Sequence, residues 1–455
     1  MKSELDPGYN PMNEGASLLM GGGSIGMFAY TYSGWRDETD SWKKTAYLGA
    51  ALMNSPIMDV RGPDIAEFFT RICVNNFSKF SIGRIRHAII CNEKGQVMTD
   101  GVVMKIAEDT YRTYWLHPVL GYLVGKLKDE YDITSEELTG KEYFFQIAGP
   151  KSKEIIETTC GSGIEDLKFA HHRMIKINGK DVRILRLGMT GNLAYEIHGP
   201  MVDAIEVYNH IWEVGKHVGM RKLGQQAYCM NHTEGGYPNI NIHYPLPWFE
   251  SEALGFEGFS AYLAAIPWFA FYNNARYLAG SVGDNLDVRF VTPFDVGWGD
   301  LIRFDHGFTG KAALEKEAVN PGRTVVTLEW NADDIADVYA SQFRGVDVEP
   351  CDFIEDRPND VYYFGGAEFT YHADKVLDGN RKVGISVGRG VSNWYRRMIS
   401  LCFIDPKYAE IGKELKLIWG SPGTQQKEIR VTVARFPYLD FDRNNETEYF
   451  FGGKK

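Results

Sequence analysis

Apolar positions change period several times along this chain, and each change marks an element. Ile57-Met58-Asp59-Val60-Arg61 reads as a strand halted by Gly62. Over 63–73, Ile65, Phe68, Phe69 and Ile72 recur at helical spacing on one face. Strands follow at 86–91, 97–106 and 110–116, the first two joined by the turn residues Asn92-Glu93-Lys94-Gly95. A strand at 142–148 ends at Gly149-Pro150 before a helix at 151–159. Strands at 180–187 and 194–198 precede a long helix at 202–218. The last third alternates again: strand 325–330, helix 333–341, then strands at 382–387, 399–404, 415–419 and 428–434. Residues 1–24 read as an arm with a glycine hinge at Gly21-Gly22-Gly23. This pattern predicts an α+β fold of antiparallel pairs with helices on one side, closed by a small β-rich domain. The expected divisions are 1–140, 141–236, an aromatic-rich 237–322, and 323–455.

Composition narrows the partners. At 455 residues with 44% hydrophobic and 24% charged, the chain is globular and long enough for several cores. Its formal charge of -11 has the wrong sign for a binder of nucleic acid that works by neutralising phosphates. The six cysteines lie far apart with no CxxC, which predicts a reducing, cytoplasmic setting and no metal site. The apolar run 261–272 contains Pro267 and falls short of the roughly 20 residues that span a bilayer, so no membrane partner is expected.

Familiar nucleotide and hydrolase motifs (P-loop, GxGxxG after a strand, HExxH, GxSxG) are absent. His171-His172 reads as a surface pair. His117-Pro118 closes the aromatic strand 111–115, either as a capped strand end or as a pocket wall. Asp100 sits inside an apolar strand and must be paired, hydrogen-bonded or functional, because an unpaired buried carboxylate is expensive. Glu196 occupies a comparable strand after Gly188-Met189-Thr190-Gly191-Asn192. The rings between Tyr237 and Tyr277 build either a core or the walls of a site for a flat ligand.

Several blocks acquire meaning from their order: Asp59-Val60-Arg61-Gly62, Gln146 to Pro150, Thr190-Gly191 with Tyr195-Glu196-Ile197, and Gly307-Phe308-Thr309-Gly310-Lys311. Together they resemble the glycine-cleavage T-protein (aminomethyltransferase) superfamily. Within it the chain is most similar to tetrahydrofolate-dependent aryl-methyl-ether O-demethylases of the vanillate/3-O-methylgallate type. Ile25-Gly26 to Tyr30, Trp35-Arg36, Asp100-Gly101, Pro245-Leu246-Pro247, Pro293 to Gly297, Phe304-Asp305-His306 and Trp330-Asn331 to Ser341 carry that likeness. Those demethylases have a histidine near the Asn54 position and an arginine near Leu116, and T-proteins have an arginine where His232 stands.

The resemblance implies a three-domain ring around a central folate channel, with 1–140 and 237–322 contributing to the folate-binding part. It implies transfer of a methyl group from a small methoxylated aromatic substrate to N5 of tetrahydrofolate, the cofactor. Glu196 would hold the pterin, Asp100 would stand by the reacting nitrogen, and Tyr30, Val102 and Trp248 would line the cofactor. Tyr244 or His243 would act as proton donor, with Asn54, His117, Tyr32 and His232 as substrate contacts. Alternatives within the same fold are demethylation of an amine or sulfonium, or folate binding without turnover.

Overall fold

A computed structural model describes residues 11–21, 27–50, 55–240, 242–248, 254–266, 276–355 and 369–440. The strands predicted from periodicity over 57–198 fall into two sheets, together with four short strands that periodicity did not announce. One is a five-stranded antiparallel sheet in the order Ile85–Cys91, Val97–Ala107, Thr110–Tyr114, Ile57–Arg61 and Thr134–Glu137. The other has six strands in the order His172–Ile177, Lys180–Leu185, Ala194–Pro200, Glu142–Ala148, Tyr47–Gly49 and Arg221–Leu223. Its last pair is parallel. Segment 1–140 therefore feeds both sheets, since Tyr47–Gly49 pairs with Glu142–Ala148.

The C-terminal domain is a β-barrel. Its seven strands run from Arg276–Ala279 through Phe369–Asp378, Arg381–Ser392, Arg397–Ile404, Thr324–Trp330 and Lys427–Ala434 to Glu414–Trp419. The strands Phe369–Asp378 and Glu414–Trp419 pair and close it. Closure removes the exposed edges that an open sheet would carry. Leu328, Leu417 and Ile429, each 0% exposed, centre its core.

The helix predicted over 63–73 is Ile65–Ile72, which buries Ile65, Phe68, Phe69 and Ile72 in the core. A separate apolar cluster joins the two sheets: Ile85, Met104 and Tyr114 meet Tyr47, Phe144 and Leu185 there. Val102, Trp115, Leu187 and Met189 pack on this seam yet stay only partly buried. His232 lies on a helix, Gln225–Gly235, that periodicity did not announce, because it is buried on nearly every face.

His171-His172 is not a surface pair. His172 is 6% exposed, with Nδ1 at 2.9 Å from the Arg183 guanidinium and Nε2 donating to the Lys105 carbonyl at 3.1 Å. The strand alternation that splits the two side chains sends one of them inward. Gly21 ends a strand, Leu18–Gly21, and the rest of the glycine hinge, 22–23, lies outside the described residues. No helix among the described residues is long and apolar enough to cross a membrane.

Candidate active site at the seam between the sheets

The 92–95 turn sets the register that builds the first half of the site. It pairs Ile89 with Asp100 and His87 with Val102. Residues two apart on a strand share a face, so His87 reaches Asp100 diagonally. His87 Nε2 lies 2.8 Å from Asp100 Oδ2, and the Tyr244 hydroxyl donates to Oδ1 at 3.1 Å. Asp100, 9% exposed, is thus hydrogen-bonded, as its place in an apolar strand requires. The Tyr237 oxygen lies 3.1 Å from the same His87 nitrogen. Trp298 stands edge-on to His87 with ring centroids 4.6 Å apart, and 5.8 Å from the Tyr237 ring. Tyr244 is 1% exposed, and burial beside Asp100 pushes its phenol well above the ordinary range.

The helix Gln225–Gly235 aims the next residues. His232 Nδ1 faces the Tyr237 carbonyl at 3.2 Å and must donate to it, since a carbonyl only accepts. Nε2 of the neutral ring then accepts from the Tyr228 hydroxyl at 3.1 Å. Burial holds His232 neutral by pushing its pKa down to about 4. His243 is similarly occupied: Nδ1 accepts from the Asn239 N–H at 3.0 Å, so Nε2 donates to Thr233 Oγ1 at 3.1 Å. Thr233 passes its own hydrogen to the Gly388 carbonyl at 2.9 Å. Both histidines therefore hold backbone and loop geometry, and neither presents a nitrogen to a substrate.

Glu196 forms the second half. It pairs across the sheet with Gln146 and is 4% exposed. Burial pushes its carboxyl up to about 8, and the Gln146 amide partly opposes that shift. His198, two residues on and on the same face, brings Nε2 to 3.4 Å from Oε2. Tyr114 and Phe144 clasp the His198 ring at 4.6 and 4.3 Å. Burial, with Arg112 and Arg183 nearby, pushes His198 far below its usual range, so it is neutral. No lysine or arginine pairs with Glu196 among the described residues. A carboxylate in that state suits a ligand edge carrying two N–H donors, which is what an amino-pyrimidine ring presents.

The remaining predicted site residues scatter. Val102 shares the face of Asp100 and lies opposite His87, on the seam. Trp248 sits in the core, its indole N–H donating to the Met98 carbonyl at 2.6 Å. Tyr30 is half-buried on the strand Met27–Thr31, whose backbone packs against Gly224 at the start of the His232 helix. Tyr32 donates to the Met12 carbonyl at 2.9 Å and lies beside Lys222; burial pushes it up to about 12. His117, 4% exposed and pushed down to about 4 by burial, packs near Tyr262 around Gly121. Asn54 lies outside the described residues. Sequence reading passed over His87, Tyr237 as a polar group, and His198. For His87 the signal was there, because counting back from the 92–95 turn places it diagonal to Asp100.

Known proteins share this arrangement of chain. Residues 50–243 match the GCVT N-terminal domain family. Sesamin methylene transferase from a Sinomonas species is 50% identical over 437 residues, spanning 95% of each chain. Syringate O-demethylase from a Sphingobium species is 32% identical over 430 residues, spanning 90% of this chain and 89% of that one. Among solved structures, the glycine cleavage system aminomethyltransferase T of Bartonella henselae superposes with a TM-score of 0.66 at 14% identity. It covers 95% of this chain and 96% of its own, a likeness of fold.

Proposed function

The chain belongs to the glycine-cleavage T-protein (GCVT) family, and from that premise we propose that it moves a one-carbon unit from an aromatic ether oxygen to tetrahydrofolate. It is a transferase, and tetrahydrofolate is the cofactor of its family. The observation that carries the reading is Glu196, a buried carboxyl with no lysine or arginine partner among the described residues, on the sheet that an apolar cluster joins to the sheet of Asp100.

When bound, tetrahydrofolate supplies the nucleophilic nitrogen that receives the carbon. Glu196 would hold the cofactor, accepting the two N–H groups of the pterin edge. Such alignment of two reactants contributes roughly 7–11 kcal/mol to a displacement. Tyr244, donating to Oδ1, and His87, at Oδ2, keep the Asp100 carboxylate in place. The departing group is a phenolate, a poor leaving group whose conjugate acid titrates near 10 by analogy with tyrosine. A positioned proton donor speeds such a step by about 10²–10⁴. The partly buried apolar side chains of the seam, Val102, Trp115, Leu187 and Met189, exclude water from it.

The carbon is a methyl or a bridging methylene. Syringate, named for one relative, is a methoxylated aromatic; sesamin, named for the more similar one, carries its carbon between two aromatic oxygens. The product separates the two: 5-methyltetrahydrofolate from a methyl ether, 5,10-methylenetetrahydrofolate from a methylenedioxy ring. The test is an anaerobic incubation of the purified protein with tetrahydrofolate and a panel of both donor types, without metal or NAD(P)H, read by mass spectrometry. Transfer from at least one type is expected. Silence across the panel, or dependence on oxygen or nicotinamide, would reject the function.

A further inference from the structure

We propose that Trp115 is the platform on which the aromatic ring of the donor lies, an inference that rests on the function proposed above. Periodicity predicts a strand over 110–116, but the strand ends at Tyr114. Trp115 takes φ 68°, a left-handed conformation that strains a bulky residue. Among the described non-glycine residues, only Ala170, Asn178 and Arg396 share that sign of φ. Asn178 and Gly179 form the two-residue turn between paired strands, where such geometry is routine. The others border the seam: Trp115 and Ala170 pack on it, and Arg396 follows Tyr395, which packs there too. Backbone strain of this kind clusters where a fold holds a side chain for use.

The strain has a visible effect. Neighbours along a regular strand point to opposite faces, so an extended Trp115 would leave the face of Tyr114. The left-handed turn lets both side chains meet the same cluster, Tyr114 buried and Trp115 only partly so. The Trp115 N–H donates to the Pro56 carbonyl at 3.0 Å, and its carbonyl accepts from Thr99 Oγ1 at 2.8 Å. Gly101 admits the bend, since a Cβ there would run into the Tyr114 carbonyl oxygen. Thr99 and Gly101 flank Asp100, so the strand that carries this acid also fixes the backbone beneath the indole. On the other side, Tyr114 clasps His198, whose Nε2 lies 3.4 Å from Glu196. Trp115 is thereby tied to both halves of the site.

The other side chains on the rim of the seam cannot take this part. Val102, Leu187 and Met189 offer no π face. Tyr395 has one, but its ring is engaged by Tyr438, centroids 5.0 Å apart, and by the Arg435 guanidinium at 5.4 Å. Among the described residues no ring stacks on the Trp115 indole. A flat donor ring laid on it gains a stacking contribution beyond the burial that aliphatic walls supply. That contribution is present before any bond changes, so it belongs to binding of the donor and not to the chemical step.

The test compares wild type with Trp115→Phe, Trp115→Leu and Trp115→Gly on a panel of methoxybenzoates, veratrole and 1,3-benzodioxole. KM and kcat for transfer to tetrahydrofolate are measured, with tetrahydrofolate affinity alongside by calorimetry. Trp115→Leu keeps apolar bulk and removes the face, so KM for the donor should rise about tenfold while kcat falls by less than about threefold. Trp115→Phe keeps a face and should stay within about threefold of wild type in both. Tetrahydrofolate should bind every variant within about twofold of wild type, as fits a group that acts on the other reactant. Glycine takes φ 68° without strain, so Trp115→Gly should fold even if Trp115→Leu does not, and should show the largest rise in KM. An unchanged KM in Trp115→Leu and Trp115→Gly, a loss confined to kcat, a loss in Trp115→Phe as large as in Trp115→Leu, or an equal loss of tetrahydrofolate affinity would overturn the platform. Wild-type protein inactive across the panel would reject the function and the platform together.

Discussion

Two buried carboxylates, Glu234 and Glu196, show how differently this protein treats the same group. Glu234, 1% exposed, is given a buried partner, Lys43, which bolts the Gln225–Gly235 helix to the helix Trp35–Lys44. Asp59, 0% exposed, is gripped at both oxygens by Arg112, at 2.8 and 3.0 Å. Glu196 is as deeply buried but receives an amide and a neutral histidine. The fold supplies a cation to Glu234 and to Asp59, and withholds one from Glu196. A buried acid left in that state is compensated either by a proton or by a ligand's donors. The contrast separates acids that hold the fold from acids that serve the chemistry, and each class should fail in its own way.

The largest effect is expected at Asp100, a buried acid whose side-chain partners are a histidine and a tyrosine, with no lysine or arginine bridging it among the described residues. Asp100→Asn should lower the single-turnover rate by about 10²–10⁴ while the protein stays folded. A loss below tenfold would place Asp100 among the structural acids. Lys43→Met should do the reverse. Removing one partner of a buried ion pair costs about 3–5 kcal/mol, so its denaturant midpoint should drop sharply. Adding Glu234→Leu to it should recover part of that loss. Undiminished stability in Lys43→Met would dissolve the comparison.

Glu196→Gln comes next. It keeps the shape and removes the charge that accepts two N–H groups. Hydrogen bonds to a charged group are worth about 1.5–3 kcal/mol, so tetrahydrofolate should bind about 10–100-fold more weakly by calorimetry. Stability of the cofactor-free protein should hold or rise, because the substitution relieves a buried acid of its desolvation. A variant that unfolds yet binds normally would assign Glu196 to the fold.

Much of this was legible beforehand, for a reason visible in particular segments. The strands Ile57–Arg61, Val97–Ala107 and Glu142–Ala148 bury one or both faces and sit between glycine or turn residues, so their periods survive in the sequence. The predicted helix over 63–73 appears as Ile65–Ile72 for the same reason. The Gln225–Gly235 helix was illegible because it has no solvent face: Asn231, His232, Thr233 and Glu234 are all buried with their neighbours. Without a polar stripe, a helix leaves no 3.6-residue signature. Asp100 was legible as an acid in an apolar strand. Its network was not, because Tyr244 reaches Asp100 from 144 residues away and Tyr237 reaches His87 from 150. His243 misled for a related reason. Its neighbour's hydroxyl enters the network, while its own ring turns to Thr233, a choice made by tertiary packing and not by local spacing.

The finest test of the contrast is pH. Burial raises the Glu196 carboxyl from an ordinary 4.5 to about 8, so the folded, cofactor-free protein holds a proton there that the unfolded chain releases. The stability of that form is therefore full below about 4.5 and falls as pH rises towards 8, since the native state is the one that binds the extra proton. Binding runs the other way. The pterin edge needs the ionised carboxylate, so affinity should climb with pH and level off above about 8, by at most about tenfold per unit. The neighbours of Glu196 are silent over this window. Burial pushes His198 far below it and pushes the Tyr47 and Tyr114 phenols far above. Calorimetric titrations from pH 6 to 9 should thus show a rising affinity that Glu196→Gln flattens. If affinity instead fell with pH, or rose equally in the variant, the proton on Glu196 would not be what the ligand displaces.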